Sequence, residues 1–102
     1  MRDGERIRVQ QYRNRLEIIG DVLSVVLTSS GEGGASASVM MRRSNLSYRS
    51  FEQLLSQLLS AGFITQKQEK KRVRYVASAK GCDYLAHYHE FARFAESYGV
   101  RL

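Results

Sequence analysis

The stretch from Met40 to Ala77 constrains the fold of this chain more than any other part. A short segment ending in Arg42 and Arg43 turns through Ser-Asn-Leu-Ser (44–47) into a leucine-rich helix. Apolar residues in that helix recur at i, i+3, i+4, i+7 and i+8, at Phe51, Leu54, Leu55, Leu58 and Leu59. This spacing is typical of an amphipathic helix with one buried face. The sequence therefore predicts two helices joined by a tight turn.

The signals that follow predict a β-hairpin directly after the second helix. Ser47 is a suitable N-cap for that helix, and Gly62 stands where a left-handed C-terminal residue is wanted. Two short β-prone runs, 63–65 and 73–76, flank a polar and cationic segment, 66–72, that contains no glycine. The turn type of this hairpin is therefore left open.

The remaining elements are also predicted to be helical. Leu16, Ile19, Leu23 and Val26 follow one another at spacings of three and four, which predicts a first helix from about Arg13. Residues 28–34, Thr-Ser-Ser-Gly-Glu-Gly-Gly, are rich in the glycine and serine that are typical of turns. We therefore expect a flexible connector there. A short helix over 35–43 follows it.

A final helix is expected from Ala79 to about Tyr98, with Ser78 as its cap. Together these elements predict an α+β, mostly helical fold. The plan is that of a winged helix-turn-helix, with a three-helix core, a two-stranded hairpin as the wing and a C-terminal helix. We divide the chain into a basic N-terminal arm (1–12), the winged helix-turn-helix domain (13–78) and a C-terminal dimerisation helix (79–102).

The bulk properties of the chain suit a single soluble domain. One hundred and two residues can form one modest core but not two. No apolar run approaches the roughly 18 residues that a membrane span needs, and the N-terminus lacks the apolar stretch of a signal peptide. We therefore expect a cytoplasmic protein without a membrane partner.

The net charge of +6 is concentrated in two segments. Residues 1–15 carry a net +3 and residues 66–80 a net +5, whereas the rest of the chain carries −2. A concentrated positive field favours a polyanionic partner, both by attraction and by release of counterions. The alternative is a charge that serves solubility alone.

The polar face of the helix from Ser47 carries groups that can bind nucleic acid. A rotation of about 100° per residue places Arg49, Gln53, Ser56 and Ser60 opposite the apolar face. Such groups hydrogen-bond to phosphates and base edges. The candidate nucleic-acid-binding residues are Arg42, Arg43, Ser47, Tyr48, Arg49, Ser50, Gln53, Gln57, Lys67, Lys70, Lys71 and Arg72.

Each part of this candidate set also has a purely structural interpretation. Any surface helix needs a polar face, and a cationic hairpin tip can simply be solvated. Arg42 and Arg43 can instead interact with the C-terminal dipole of the preceding helix.

The last helix carries more apolar surface than one docking face requires. Two adjacent stripes run along it, and one of them is expected to pack against a second copy of the chain. The candidate dimerisation residues are Tyr84, Leu85, Tyr88, Phe91, Ala92, Ala95 and Tyr98. The alternative is that all of them cover the core.

Catalytic and metal chemistry find little support in the sequence. His87 and His89 are two residues apart and so lie on different sides of a helix. The single cysteine, Cys82, excludes an internal disulfide and a multi-cysteine metal site, and we expect it to be a packing residue. We therefore expect no enzyme activity, no metal and no cofactor.

Residues 43–51, Arg-Ser-Asn-Leu-Ser-Tyr-Arg-Ser-Phe, resemble a phrase of an archaeal winged-helix family, Arg-x-Asn-Leu-Ser-Tyr-x-x-Phe, that opens the recognition helix. Residues 13–23, 54–55, 61–64 and 78–81 are similar to other parts of that family. The resemblance implies a winged-helix fold, duplex DNA as the partner and a homodimer formed by the C-terminal helix. Members of the family include regulators and small chromatin proteins.

These observations together predict a homodimeric, nucleoid-associated protein that binds double-stranded DNA, most simply a transcription regulator. The helix from Ser47 would enter the major groove, and the wing and the arginine arm would contact the backbone or the minor groove. Three alternatives remain open: a winged-helix protein-interaction module, an architectural protein without sequence specificity, and an RNA-binding protein.

Overall fold

The computed structural model describes residues 14–100, so the predicted arm, 1–12, and the predicted first helical residue, Arg13, lie outside the described residues. The elements run in the order α1 (Arg15–Thr28), a single 3₁₀ turn (Ser30–Glu32), α2 (Ala37–Arg43), α3 (Tyr48–Ala61), β1 (Ile64–Glu69), β2 (Arg72–Ala77) and α4 (Ala79–Ser97). This order confirms the predicted winged helix-turn-helix fold.

Each of the four α-helices within residues 14–100 begins at a polar side chain that caps it. The Asn14 side chain accepts a hydrogen bond from Glu17 N at 2.8 Å, and the hydroxyls of Ser36, Ser47 and Ser78 accept from the third residue after them. Such caps satisfy backbone N–H groups that have no partner within the helix. The caps predicted at Ser47 and Ser78 are confirmed.

The amphipathic face predicted for α3 is also confirmed. Phe51, Leu54 and Leu58 are buried, and Leu55 and Leu59 pack half-buried against the same core. The C-terminal residue Gly62 is left-handed, with φ 81°, and donates to the carbonyl of Leu59.

The hairpin is longer and tighter than the sequence suggested. β1 and β2 pair antiparallel from Ile64–Ala77 to Glu69–Arg72, which leaves Lys70 and Lys71 as a two-residue turn. Lys70 takes the left-handed conformation there, with φ 53°. Lys67 and Arg72, predicted in the tip, belong to the strands because pairing continues through polar residues whose propensity does not mark them as strand.

The connector between α1 and α2, predicted to be flexible, is closed by hydrogen bonds of its own. Ser29 is buried and its hydroxyl donates to Val25 O at 2.9 Å, while Gly34 N donates to Ser29 O at 3.0 Å. These bonds close the segment around the 3₁₀ turn. Glycine content predicted a turn correctly but did not show the hydrogen bonds that Ser29 makes within it.

Ala35, predicted as the first residue of a helix, instead pairs with β2. Its N–H donates to Tyr75 O at 2.9 Å and its carbonyl accepts from Tyr75 N at 2.8 Å. α2 consequently begins at Ala37, two residues later than predicted. The bridge joins the connector to β2 of the wing.

The core lies where α1, α2, α3, the hairpin and the first half of α4 meet. Its buried side chains are Val22, Leu23, Val26, Ala35, Met40, Phe51, Leu54, Leu58, Ile64, Tyr75 and Leu85. α4 lies across α1, where Gly20 admits the ring of Tyr88: a Cβ at Gly20 would lie 3.0 Å from that ring. None of the helices within residues 14–100 is both long and apolar enough to cross a membrane.

Candidate nucleic-acid interface

The outer face of α3 is free of contacts with the core. Arg49, Gln53, Ser56 and Ser60 are all exposed, and the buried side chains of this helix lie on its opposite side. Because α3 is capped at both ends, this face is held on a regular helix. It offers a guanidinium, an amide and two hydroxyls in successive turns, which can donate to phosphates or base edges.

The N-terminal end of α3 is built around two hydroxyl groups. Ser47 Oγ accepts from Ser50 N at 3.2 Å, and Tyr48 OH donates to Glu52 Oε2 at 2.7 Å. That hydrogen bond, together with the charge of the Glu52 carboxylate, raises the pKa of Tyr48 above its usual 10.0. Glu52 therefore adds a negative group beside the candidate residues, which the sequence prediction did not consider.

Arg42 and Arg43 lie immediately before the turn that joins α2 to α3. Asn45 takes the left-handed conformation, with φ 57°, which asparagine tolerates better than most residues. Its N–H donates to Arg42 O at 3.2 Å, and Leu46 N donates to Met41 O at 3.2 Å. Both arginines occupy the last turn of α2 and are exposed.

The cations of the wing divide into anchored and free groups. Lys67 Nζ lies 3.8 Å from Glu69 Oε2, and Arg74 Nη1 donates to Gly34 O at 3.1 Å, tying the wing to the connector. Lys70 and Lys71 at the turn, and Arg72 beside them, are exposed. Within residues 14–100, none of these three makes an ion pair with an acid.

All twelve candidate nucleic-acid-binding residues are exposed. Two of them contact an acid in the part of the chain that the structure describes: Lys67 lies beside Glu69, and Tyr48 donates to Glu52. Most of the cations are therefore available to an external anion and are not paired within the chain.

One further cation lies beside α3 that the prediction did not include. Arg15, in the first turn of α1, donates from Nη2 to the Gln57 side-chain oxygen. The contact joins residues 42 positions apart, so no local sequence signal could have shown it. Gln57 is exposed and its side-chain oxygen is engaged, so its NH₂ group is the part of the amide left as a donor.

The structure corrects the predicted dimerisation residues of α4. Leu85 is only 7% exposed and belongs to the core, so it cannot contact a second copy. Ala95 is equally buried, and Ala92 is half-buried. Tyr84 and Tyr88 also pack within the chain, because Tyr84 OH donates to Leu16 O at 3.0 Å and the Tyr88 ring covers Gly20.

The aromatic surface that remains on α4 lies toward its C-terminal end. Phe91 is 50% exposed, Phe94 59% and Tyr98 74%. The rings of Phe94 and Tyr98 pack edge to face, with their centroids 5.1 Å apart. We call Phe91, Phe94 and Tyr98 the aromatic stripe. Phe94 was not among the predicted residues, although it falls at the helical spacing that joins the other two.

The expectation for Cys82 was also wrong, since it is exposed rather than a packing residue. Within residues 14–100, no group of three or more His, Cys, Asp or Glu side chains is arranged to hold a metal ion.

Comparison with known proteins defines the class. The family model described as winged helix-turn-helix matches residues 12–96, and the chain belongs to that family. The resemblance stated from the sequence is thereby confirmed.

Among solved structures, the chain is similar to Sso10a-2, a DNA-binding protein from Sulfolobus solfataricus. The TM-score is 0.70 at 25% sequence identity, and the match covers 83% of this chain and 84% of that one. No curated protein matches the chain.

Proposed function

We propose that this chain binds double-stranded DNA as a homodimer and acts, without enzymatic activity, as a transcription regulator on the nucleoid. The observation that carries the proposal is the arrangement of α3. Its apolar side is buried through Phe51, Leu54 and Leu58, while Arg49 and Gln53 stand free on the other side. A helix placed in this way can enter a major groove without any change in the core.

The family supports the same function. In the winged helix-turn-helix fold the second helix of the motif is the recognition helix, and here that helix is α3. The similar structure, Sso10a-2, is itself described as a DNA-binding protein.

The exposed residues divide into a group suited to bases and a group suited to phosphates. Arg49 can donate two hydrogen bonds to O6 and N7 of guanine, and Gln53 can pair with N6 and N7 of adenine. Lys70, Lys71 and Arg72 suit phosphate oxygens, since they are exposed and not paired with acids within residues 14–100. The N-terminus of α3 adds N–H groups that favour a phosphate.

A titration with salt tests the electrostatic part. If about 4–6 phosphates are neutralised per subunit, the logarithm of affinity should fall with the logarithm of salt concentration at a slope of about −4 to −5 per subunit, or about −7 to −11 for a dimer with both subunits on the duplex. Fluorescence anisotropy with a labelled duplex measures this slope. A flat response would exclude backbone contact by the cations, and equal binding to an RNA duplex of the same sequence would favour the RNA alternative.

A selection of bound sequences from a random duplex pool tests the reading of bases. We expect a sharp motif for the natural protein, and a relaxed motif for the double variant Arg49→Ala, Gln53→Ala with little loss of non-specific affinity. The matched control is Ala86→Gln on α4, an exposed position outside α3. If the selection with the natural protein yields no sequence motif, an architectural role would be indicated instead.

The homodimer is proposed to form through the aromatic stripe on α4. Three exposed aromatic side chains in successive turns form an apolar surface of the kind that marks a protein–protein interface. Sedimentation equilibrium should show a dimer for the natural protein and a monomer for Phe94→Glu. Ala86→Glu adds the same charge at another exposed position of α4, and it should remain dimeric.

A further inference from the structure

The outward face of α3 carries one negative charge among its cationic and neutral polar groups. Positions i, i+3, i+4 and i+7 of this face are exposed and are occupied by Arg49, Glu52, Gln53 and Ser56. Glu52 is the only acidic residue of α3. Its carboxylate repels the phosphates that the neighbouring cations attract, so it acts on a duplex in the opposite sense to them.

The usual structural roles of a surface glutamate do not account for Glu52. It is the fifth residue of α3 and so lies past the first turn, where an acidic group stabilises a helix most. Within residues 14–100 it makes no ion pair with a cation, although Arg49 stands three residues before it. Its side-chain partner is instead the neutral Tyr48, whose OH donates to Glu52 Oε2 at 2.7 Å.

The hydrogen bond from Tyr48 ties the carboxylate to the N-terminal end of the recognition helix. Tyr48 remains a donor at neutral pH, since the hydrogen bond to Glu52 and then the charge of Glu52 raise its pKa above the usual 10.0. The bond engages Oε2 and leaves the lone pairs of Oε1. Because an ionised carboxylate accepts hydrogen bonds and cannot donate them, it can bind only a donor.

Cytosine is the base that offers such a donor without an acceptor beside it. In the major groove cytosine presents its N4 amino group, whereas guanine presents two acceptors, thymine an acceptor and a methyl group, and adenine a donor next to an acceptor. The spacing also suits neighbouring base pairs. Arg49 and Glu52 are about 4.5 Å apart along the helix axis, and successive base pairs are about 3.4 Å apart.

We propose that Glu52 determines specificity by accepting a hydrogen bond from N4 of a cytosine, close to the guanine assigned to Arg49, and that Tyr48 is its positioning residue. The inference rests on the proposed function, since it requires α3 to lie in the major groove. The carboxylate also rejects a base that places an acceptor at the same point, so part of the specificity comes from repulsion.

Modified bases test the contact with the natural protein. Selection from a random duplex pool gives the motif, and fluorescence anisotropy then compares duplexes that differ at one cytosine. We expect that cytosine to be preferred about tenfold over the other bases. N4-methylcytosine carries a methyl on the amino group in question and should lose the preference. The matched probe, 5-methylcytosine, keeps both N4 hydrogens and should retain it.

Variants assign the preference to named side chains. Glu52→Gln should shift that one position from cytosine toward adenine, which an amide contacts through two hydrogen bonds, and leave the rest of the motif unchanged. Tyr48→Phe should lower the cytosine preference to about threefold without a shift to another base, because the carboxylate stays but loses its tether. Glu90→Gln removes the same charge from an exposed position on α4 and should leave the motif as it is.

The outcomes separate this inference from the proposed function. A motif that Glu52→Gln leaves unchanged, or an even rise in its affinity for all sequences, overturns the inference alone, because Glu52 then only repels phosphates. Equal losses with the two methylated cytosines, or duplex binding without any motif, overturn it as well. If the natural protein does not bind duplex DNA even at low salt, the proposed function fails too.

Discussion

Gly81, in the first turn of α4, lies directly against the carbonyl oxygen of Phe63, which fills the place where a Cβ would be. The same joint is held by Ser78, whose hydroxyl donates to Gly62 O and whose N–H donates to Phe63 O at 3.0 Å. α4 is thus set against the link between α3 and the wing by backbone contact. The C-terminal end of α3 therefore lies against the first turn of α4.

Gly81→Ala should therefore destabilise the fold, although alanine is the better helix former. The new Cβ must push a backbone carbonyl aside, and we expect a loss of about 2 kcal/mol in the free energy of unfolding, as for overpacked sites. Urea denaturation measures it. Gly31→Ala is the control, because nothing lies within 4 Å of a Cβ there, and it should change stability by less than about 0.5 kcal/mol. Equal effects at the two positions would contradict the contact.

Ser47 allows the cap of α3 to be separated from its proposed contact with DNA. Ser47→Ala should lower the free energy of unfolding by about 1 kcal/mol, since Ser50 N loses its acceptor. Ser47→Asp keeps a capping oxygen and should retain stability, yet its charge should repel a phosphate and weaken duplex binding. Thermal unfolding and anisotropy give the two values. An aspartate variant with full affinity for DNA would show that no phosphate lies near Ser47.

The helices and caps could be predicted from the sequence because their determinants are local. The spacing of Phe51, Leu54 and Leu58 defines one face of α3 without reference to the rest of the chain. Ser47 and Gly62 likewise act within a few residues of themselves. The exposed candidates on α3 follow directly, because the face opposite a buried one is a surface.

The features that sequence could not give are contacts between distant residues. Ala35 pairs with Tyr75 across 40 positions, and this pairing turns a predicted helical residue into part of the sheet. The aromatic residues of α4 illustrate the same limit. Periodicity showed two apolar stripes, but it did not show that Leu85 packs in the core or that the Tyr88 ring lies over Gly20 of α1. Leu85 was therefore assigned to the wrong surface.

The two lysines at the turn of the wing should contribute to the salt dependence of DNA binding. If each contacts one phosphate, Lys70→Gln with Lys71→Gln should reduce the salt slope by about 2 per subunit, or about 4 for the dimer, and weaken binding evenly across sequences. Arg93→Gln, an exposed cation on α4, should leave the slope unchanged. A double variant that changes the selected motif instead would mean that the wing reads bases.

The tyrosines that pack α4 on α1 should make stability fall in alkaline solution. The pKa of Tyr84 is raised mainly by burial and next by the neighbouring Tyr88. The pKa of Tyr88 is also raised mainly by burial, and then by the charges of Glu17 and Asp21. Above about pH 10 the unfolded chain releases these protons first, so the free energy of unfolding declines as pH rises. Stability is unaffected below that range, where both states are protonated.

The double variant Tyr84→Phe, Tyr88→Phe should therefore show a shallower decline between about pH 9 and pH 11 than the natural protein. At neutral pH it should also lose about 0.5–1 kcal/mol, because Leu16 O loses the hydrogen bond from Tyr84 OH. Tyr98→Phe alters a side chain that is 74% exposed and should leave the decline as it is. Chemical denaturation across the pH series provides the measurement. If Tyr98→Phe flattens the decline as much as the double variant, the alkaline loss comes from general charge and not from the contact between α4 and α1.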